Sequence, residues 1–232
     1  MVRIVRFLKV VALLCFVSSA FGTQMKLTGV GNGYVMGGVY VGPYTATIGG
    51  VPTEVICDDF TTDISVGMTW TADTNTLSQV TPSGPQKFTT PEWQGYTIQN
   101  EYDAAALLAE QLMQPSNMNN PALAGYYSYA IWTIFDPSAV NGYGVGHALT
   151  PTQVYDVDAL RTSALANAAG GQAPSGSVTV YTPNPLRASQ EYLVVSTPEP
   201  PAPATLGFDL LALAALVYLM RHRIVRETGR ID

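Results

Sequence analysis

The run Ile56-Cys57-Asp58-Asp59-Phe60 is where side chains able to do covalent chemistry stand together in this 232-residue chain. A cysteine becomes a nucleophile when a neighbouring base lowers its pKa. Of the two histidines, His222 lies in the C-terminal tail, which leaves His147 as the base. His147 follows Gly142-Tyr143-Gly144-Val145-Gly146, a flexible loop sequence, and two adjacent carboxylates raise a thiol pKa rather than depress it. A small buried hydrophobe is therefore the expected role of Cys57, ahead of a Cys-His hydrolase. The second cysteine, Cys15, lies in the N-terminal signal, so no internal disulfide is expected.

Asp58, Asp59 and Asp63 are of the type that gathers a hard cation, but their spacing departs from a calcium loop. Asp156 and Asp158 fall on a helical stretch where alternate residues diverge. The expectation is a solvated acidic face, with no metal and no cofactor. Among the aromatics, Trp70, Trp93, Tyr96 and Tyr102 flank polar loops, the setting in which a ring holds a sugar face.

The elements that must position these residues can be read from glycine punctuation and periodicity. Strands are predicted at 34–36, 39–41, 44–48 and 53–57, separated by Gly37-Gly38, Gly42-Pro43 and Gly49-Gly50, the last a hairpin signal. Residues 71–91, rich in Thr, Ser, Pro and Gly, read as a surface loop or a ragged edge hairpin. Apolar residues at spacings of three and four predict a helix over 101–113. A buried helix is predicted over 121–135, and a third begins at Pro151, with Thr150 as its N-cap, and ends at Gly170-Gly171. Strands at 177–181 and 191–195 follow. The fold class is α+β: an antiparallel β-rich domain of residues 23–196 with about three helices.

The two ends read as tails. Arg3, Arg6 and Lys9, the apolar run 10–17 and a small-residue site at Ser18-Ser19-Ala20 or Ala20-Phe21-Gly22 make a signal peptide over 1–22. Residues 204–220 are apolar enough for a C-terminal transmembrane helix of about 26 Å, near the ~30 Å of a hydrocarbon core. Asp209 interrupts that helix in its first third, where it can reach the headgroups. Arg221, Arg223 and Arg226 form a stop-transfer cluster that stays cytoplasmic and leaves the domain outside. Between the tails four bases face thirteen acids, a net charge of about −9, which excludes nucleic acid as a partner.

Pro198-Glu199-Pro200, a short apolar helix and an arginine cluster, in that order over 197–232, resemble the PEP-CTERM sorting signal. That resemblance implies recognition by an exosortase, removal of the tail after transient anchoring in the inner membrane, and a final place at the cell surface or in an exopolysaccharide matrix or biofilm. In the core, Cys57-Asp58 and the later Ala130-Ile131-Trp132 resemble thioester domains of bacterial surface adhesins. In that family a cysteine is bonded to a glutamine side chain, giving a latent electrophile that couples to host amines. Here Ser128 stands at the glutamine position and Tyr127 at the threonine position, so the resemblance implies the scaffold; Gln99, Gln111 and Gln114 are the substitutes nearby. The expectation is an exported, non-enzymatic structural or binding protein of the exopolysaccharide layer. The alternative is a thioester adhesin or a hydrolase centred on Cys57.

Overall fold

A computed structural model describes residues 22–196. The segments read as an export signal and a sorting tail, with Pro198, Glu199, Pro200, the apolar segment 204–220 and the three arginines, lie outside the described residues. Residues 22–174 and 178–196 form one compact unit.

Six strands close into an antiparallel barrel. They are β1 (Thr23–Gly29), β4 (Tyr44–Ile48), β5 (Val51–Cys57), β6 (Thr69–Thr76), β7 (Ser177–Asn184) and β8 (Tyr192–Ser196), in the spatial order β1-β4-β5-β8-β7-β6 with β1 returning to β6. Closure leaves no unpaired edge in the barrel. Alternation does the sorting: Met25 and Leu27 of β1, Ala46 of β4, and Trp70 and Ala72 of β6 point inward, and the residues between them face out. Gly49 and Gly50 both hold positive φ (57° and 86°) and pair Ile48 with Val51, the two-residue hairpin expected from the sequence. A separate two-stranded sheet, β2 (Val35–Met36) with β3 (Val39–Tyr40), turns on Gly37-Gly38.

The stretch 71–91, read as a surface loop or a ragged edge hairpin, begins inside a barrel strand. Residues 69–76 form β6, paired with β1 through Met25 and Trp70 and with β7 through Thr74 and Tyr181. Threonines with small inward residues satisfy a strand, but they carry little apolar signal.

Helices cover the barrel on one side. α1 (Ile98–Leu112) begins earlier than its apolar spacing suggests, because Thr97 and Asn100 cap it reciprocally. A short α2 (Pro115–Met118) follows. α3 (Pro121–Phe135) is capped by Asn120, which the sequence reading did not single out, and α4 (Pro151–Ala169) by Thr150, as expected. α3 is apolar around most of its circumference and accordingly buried, whereas α4 buries only a stripe through Val157, Ala164, Leu165 and Ala168. α1 contributes four fully buried alanines, Ala104, Ala105, Ala106 and Ala109, and small side chains at a helix contact allow α3 and α4 to pack close to it. The architecture is α+β, and among the described residues no helix is long and apolar enough to cross a membrane.

Candidate functional site at the end of β5

β5 and β8 meet where the chemistry-bearing residues lie. Cys57, the last residue of β5, pairs with Tyr192, the first of β8, and the Asp58 N–H carries the ladder one step further to the Glu191 carbonyl at 3.4 Å. Alternation along this extended segment sends Gln190 and Tyr192 to one side and Glu191 to the other.

On the first side, the Cys57 thiol donates to the Asp59 carbonyl oxygen (3.2 Å), and the Gln190 side-chain amide donates to that same oxygen (3.1 Å). The other end of the Gln190 amide, Oε1, accepts from the Tyr192 hydroxyl at 3.0 Å. These bonds fix the orientation of the carboxamide. The Trp132 indole of α3 donates to the Cys57 carbonyl at 2.9 Å, so the Ala-Ile-Trp helix is tied to the cysteine strand. Rings enclose the region: Tyr192 stacks on Trp70 (5.7 Å between centroids) and meets Tyr44 edge-on (6.3 Å), and Trp132 contacts Phe60 and Tyr129. Cys57 is 2% exposed. Burial pushes its thiol pKa well up, and the Asp59 carboxylate pushes in the same direction, so the sulfur is a neutral thiol.

On the second side the expected solvated acidic face is absent. Asp58, Asp59 and Glu191 are each 0% exposed; Asp63 is exposed, and Asp156 and Asp158 on α4 are partly exposed. The polar groups of the loop before α1 and of neighbouring strands make this burial tolerable. Asp59 Oδ1 accepts from the Thr61 N–H (2.9 Å) and hydroxyl (2.8 Å), and Oδ2 is paired with the Lys87 ammonium. Lys87 also donates to the Thr62 hydroxyl at 2.6 Å, and its backbone N–H donates to Glu191 Oε2 at 2.8 Å. Glu191 takes the Tyr102 and Thr182 hydroxyls as well. Asp58 is the exception, for neither of its carboxylate oxygens has a hydrogen-bond partner. Burial, reinforced by Glu191 and Asp59, raises its pKa well above the ordinary carboxylate value and holds it as the neutral acid. Burial also raises Glu191, against the pull of its donors.

The candidate base is elsewhere. His147 is exposed, whereas Cys57 is sealed and spends its proton on Asp59, so no Cys-His pair forms. Ser128, at the family's glutamine position, accepts from the Gly42 N–H and donates to the Ala124 carbonyl. The three nearby glutamines serve local bonds: Gln99 to Asp103, Gln111 to Tyr127 and Asn117, and Gln114 to the Glu110 carbonyl. The glutamine that does meet the cysteine is Gln190, sixty residues past that helix motif. Its sequence signal is its place two residues before the residue that pairs with Cys57, which no reading of spacing shows until the pairing is known. Among the described residues, no group of three or more His, Cys, Asp or Glu is arranged to hold a metal ion.

Gln190 also lines a surface cleft of about 520 Å³, together with Tyr40, Tyr44, Asp63, Val66 and Tyr143. Three segments build its walls. The β2–β3 hairpin is held by the Tyr129 hydroxyl on the Met36 carbonyl (3.1 Å) and by the Tyr143 N–H on the Gly37 carbonyl (2.8 Å). The Tyr143 hydroxyl in turn donates to Asp63 at 3.0 Å, joining the 142–147 loop to the 60–68 loop. Tyr40 and Tyr143 are 48% and 54% exposed, so the rings available to a ligand are these two. Of the four aromatics expected to face a sugar, Trp70 and Tyr102 are core, Tyr96 packs partly buried against it, and Trp93 is capped by the Arg161 guanidinium (3.8 Å) while its indole donates to the Thr133 and Ile134 carbonyls.

No protein-family profile matches the chain and no curated protein is similar to it. Among solved structures it is similar to the N-terminal thioester domain of a surface protein from Clostridium perfringens, at 13% identity over 74% of this chain and 98% of that one, with a TM-score of 0.45. A cysteine-to-alanine variant of that domain aligns at 12% identity over 75% and 99%, with a TM-score of 0.46. The N-terminal domain of the Streptococcus pyogenes pilus tip adhesin Cpa aligns at 10% identity over 78% and 96%, also with a TM-score of 0.46.

Proposed function

We propose that this chain is an exported cell-surface protein of adhesin type, which holds a matrix partner in the cleft beside Gln190 and can make that hold covalent through a thioester between Cys57 and Gln190. One observation carries the reading: a thiol and a carboxamide converge on the Asp59 carbonyl oxygen, each within 3.2 Å of it, and the carboxamide belongs to a residue of the cleft wall. Attack of Sγ on Gln190 Cδ forms the C–S bond, breaks the C–N bond and releases ammonia, which takes the thiol proton. An incoming primary amine reverses the exchange: it bonds to Cδ and returns the proton to Cys57. Sealing the sulfur among rings protects such an ester from water. Capture of this kind is stoichiometric, so the chain is a binder and not an enzyme.

The sorting tail, with its Pro198-Glu199-Pro200 motif, supports delivery by an exosortase to the cell surface and an exopolysaccharide setting. The exposed rings of Tyr40 and Tyr143 favour a second reading at the same cleft, non-covalent binding of a polysaccharide.

Mass spectrometry separates the two. The covalent reading expects the Gln190 and Cys57 peptides joined and one ammonia short, with methylamine restoring a free thiol and leaving an N-methylated Gln190. Cys57→Ala and Gln190→Ala should each show no ammonia loss. Wild-type protein with a free Cys57 and an intact Gln190 amide removes the thioester, and saturable glycan binding lost in Tyr40→Ala and Tyr143→Ala then establishes the second reading.

A further inference from the structure

The buried side of the site holds a second pair of groups that the cleft does not use. Lys87 Nζ and Asp59 Oδ2 are in direct contact; the Asp59 carboxylate is fully buried and the Lys87 side chain is 13% exposed. Around this ion pair the structure supplies what an amide-forming centre needs. The nucleophile is aimed: the Lys87 backbone N–H is anchored on Glu191 Oε2, and its side chain is steered by the Thr62 hydroxyl and the Ser189 carbonyl. The electrophile is polarised: Asp59 Oδ1 receives both the Thr61 N–H and the Thr61 hydroxyl, two donors on the oxygen that gains charge when the carbon is attacked. Oδ2, the oxygen that must leave, faces the amine. An unpartnered, fully buried carboxyl, Asp58, lies next in the chain, and the three carboxyl groups Asp58, Asp59 and Glu191 are shielded from solvent.

We propose that Lys87 and Asp59 condense to an intramolecular isopeptide bond, tying the loop before α1 to the end of β5. A proton passes within the ion pair to give amine and acid. Nζ bonds to Cγ while Oδ1 is held by Thr61, the Cγ–Oδ2 bond breaks, and Oδ2 leaves as water carrying the acid proton and one amine proton. Asp58 relays that proton and ends as it began. No oxidant, reductant or co-substrate enters. The bond fixes Asp59, whose carbonyl orients Cys57 and Gln190, but it forms from different atoms and does not depend on the thioester.

Trypsin and mass spectrometry test it on the full protein. With the bond in place, trypsin does not cut after Lys87, and the peptide spanning residues 27–161 is recovered one water short, with residues 59 and 87 branched in its fragment spectrum. Lys87→Ala and Asp59→Ala should each lose the water deficit. Asp58→Asn keeps both reacting groups and is expected to fold with a normal circular dichroism spectrum yet leave them unlinked. Cleavage after Lys87 at full mass in the wild type overturns the bond, and a water deficit undiminished in Asp58→Asn overturns the role of Asp58. A water loss without an ammonia loss leaves this proposal standing and the thioester fallen, and the converse pattern does the opposite.

Discussion

Burial at the end of β5 gives neighbouring side chains opposite characters. Cys57 and Asp58 adjoin in the chain, and both are uncharged for the same physical reason, desolvation of the charged form. Their uses differ because Cys57 has a partner oxygen and Asp58 has none. For Asp58 the consequence is thermodynamic. Its folded pKa is raised, so above the unfolded value of about 4 the native state holds more protons than the unfolded chain, and stability falls as pH rises toward the folded pKa. The slope for one such group is about 1.4 kcal/mol per pH unit. Asp58→Asn removes this dependence without changing shape, so its denaturation midpoint should exceed the wild type's by a margin that grows from pH 4 upward. A margin independent of pH counts against a neutral Asp58.

Among the elements, the β2–β3 hairpin decides whether the cleft exists. Two short strands have little stability of their own, and this pair is held by Tyr129 and Tyr143. Gly37 makes that close approach possible: its φ is +58°, and a Cβ there would lie 1.9 Å from the Tyr129 hydroxyl. Gly37→Ala is therefore expected to cost roughly 1–3 kcal/mol locally and to displace Tyr40 from the cleft, while the barrel and helices keep their circular dichroism. Partner binding should weaken far more than global stability. Equal losses in both would mean that the hairpin belongs to the folding core rather than to the site.

At the scale of the whole molecule, the charge of the domain and the proposed sorting tail bear on where it works. The core's excess of acids gives it a negative field that repels anionic polymers and draws cationic partners, an attraction that weakens with salt. Replacing Pro198, Glu199 and Pro200 by alanine is expected to leave the protein in the membrane with its arginine cluster attached, as read by C-terminal sequencing of the surface form. Normal localisation of that variant, or residues beyond position 203 on the mature protein, removes the sorting hypothesis.

The sequence by itself determined the features that depend on neighbours along the chain. Gly49-Gly50 had to make a tight hairpin because both positions need positive φ, and Thr150 followed by Pro151 had to start a helix. The apolar circumference of α3 required burial wherever the helix lay. Only the tertiary structure decided the site. Gln190 reaches Cys57, and Lys87 reaches Asp59, through barrel pairing and loop packing across 133 and 28 residues of chain, and local periodicity carries no record of such contacts. The burial of Asp58 and Asp59 was equally hidden, because acidic residues read as surface until a fold supplies donors, as it does for Asp59, or holds the carboxyl neutral, as it does for Asp58.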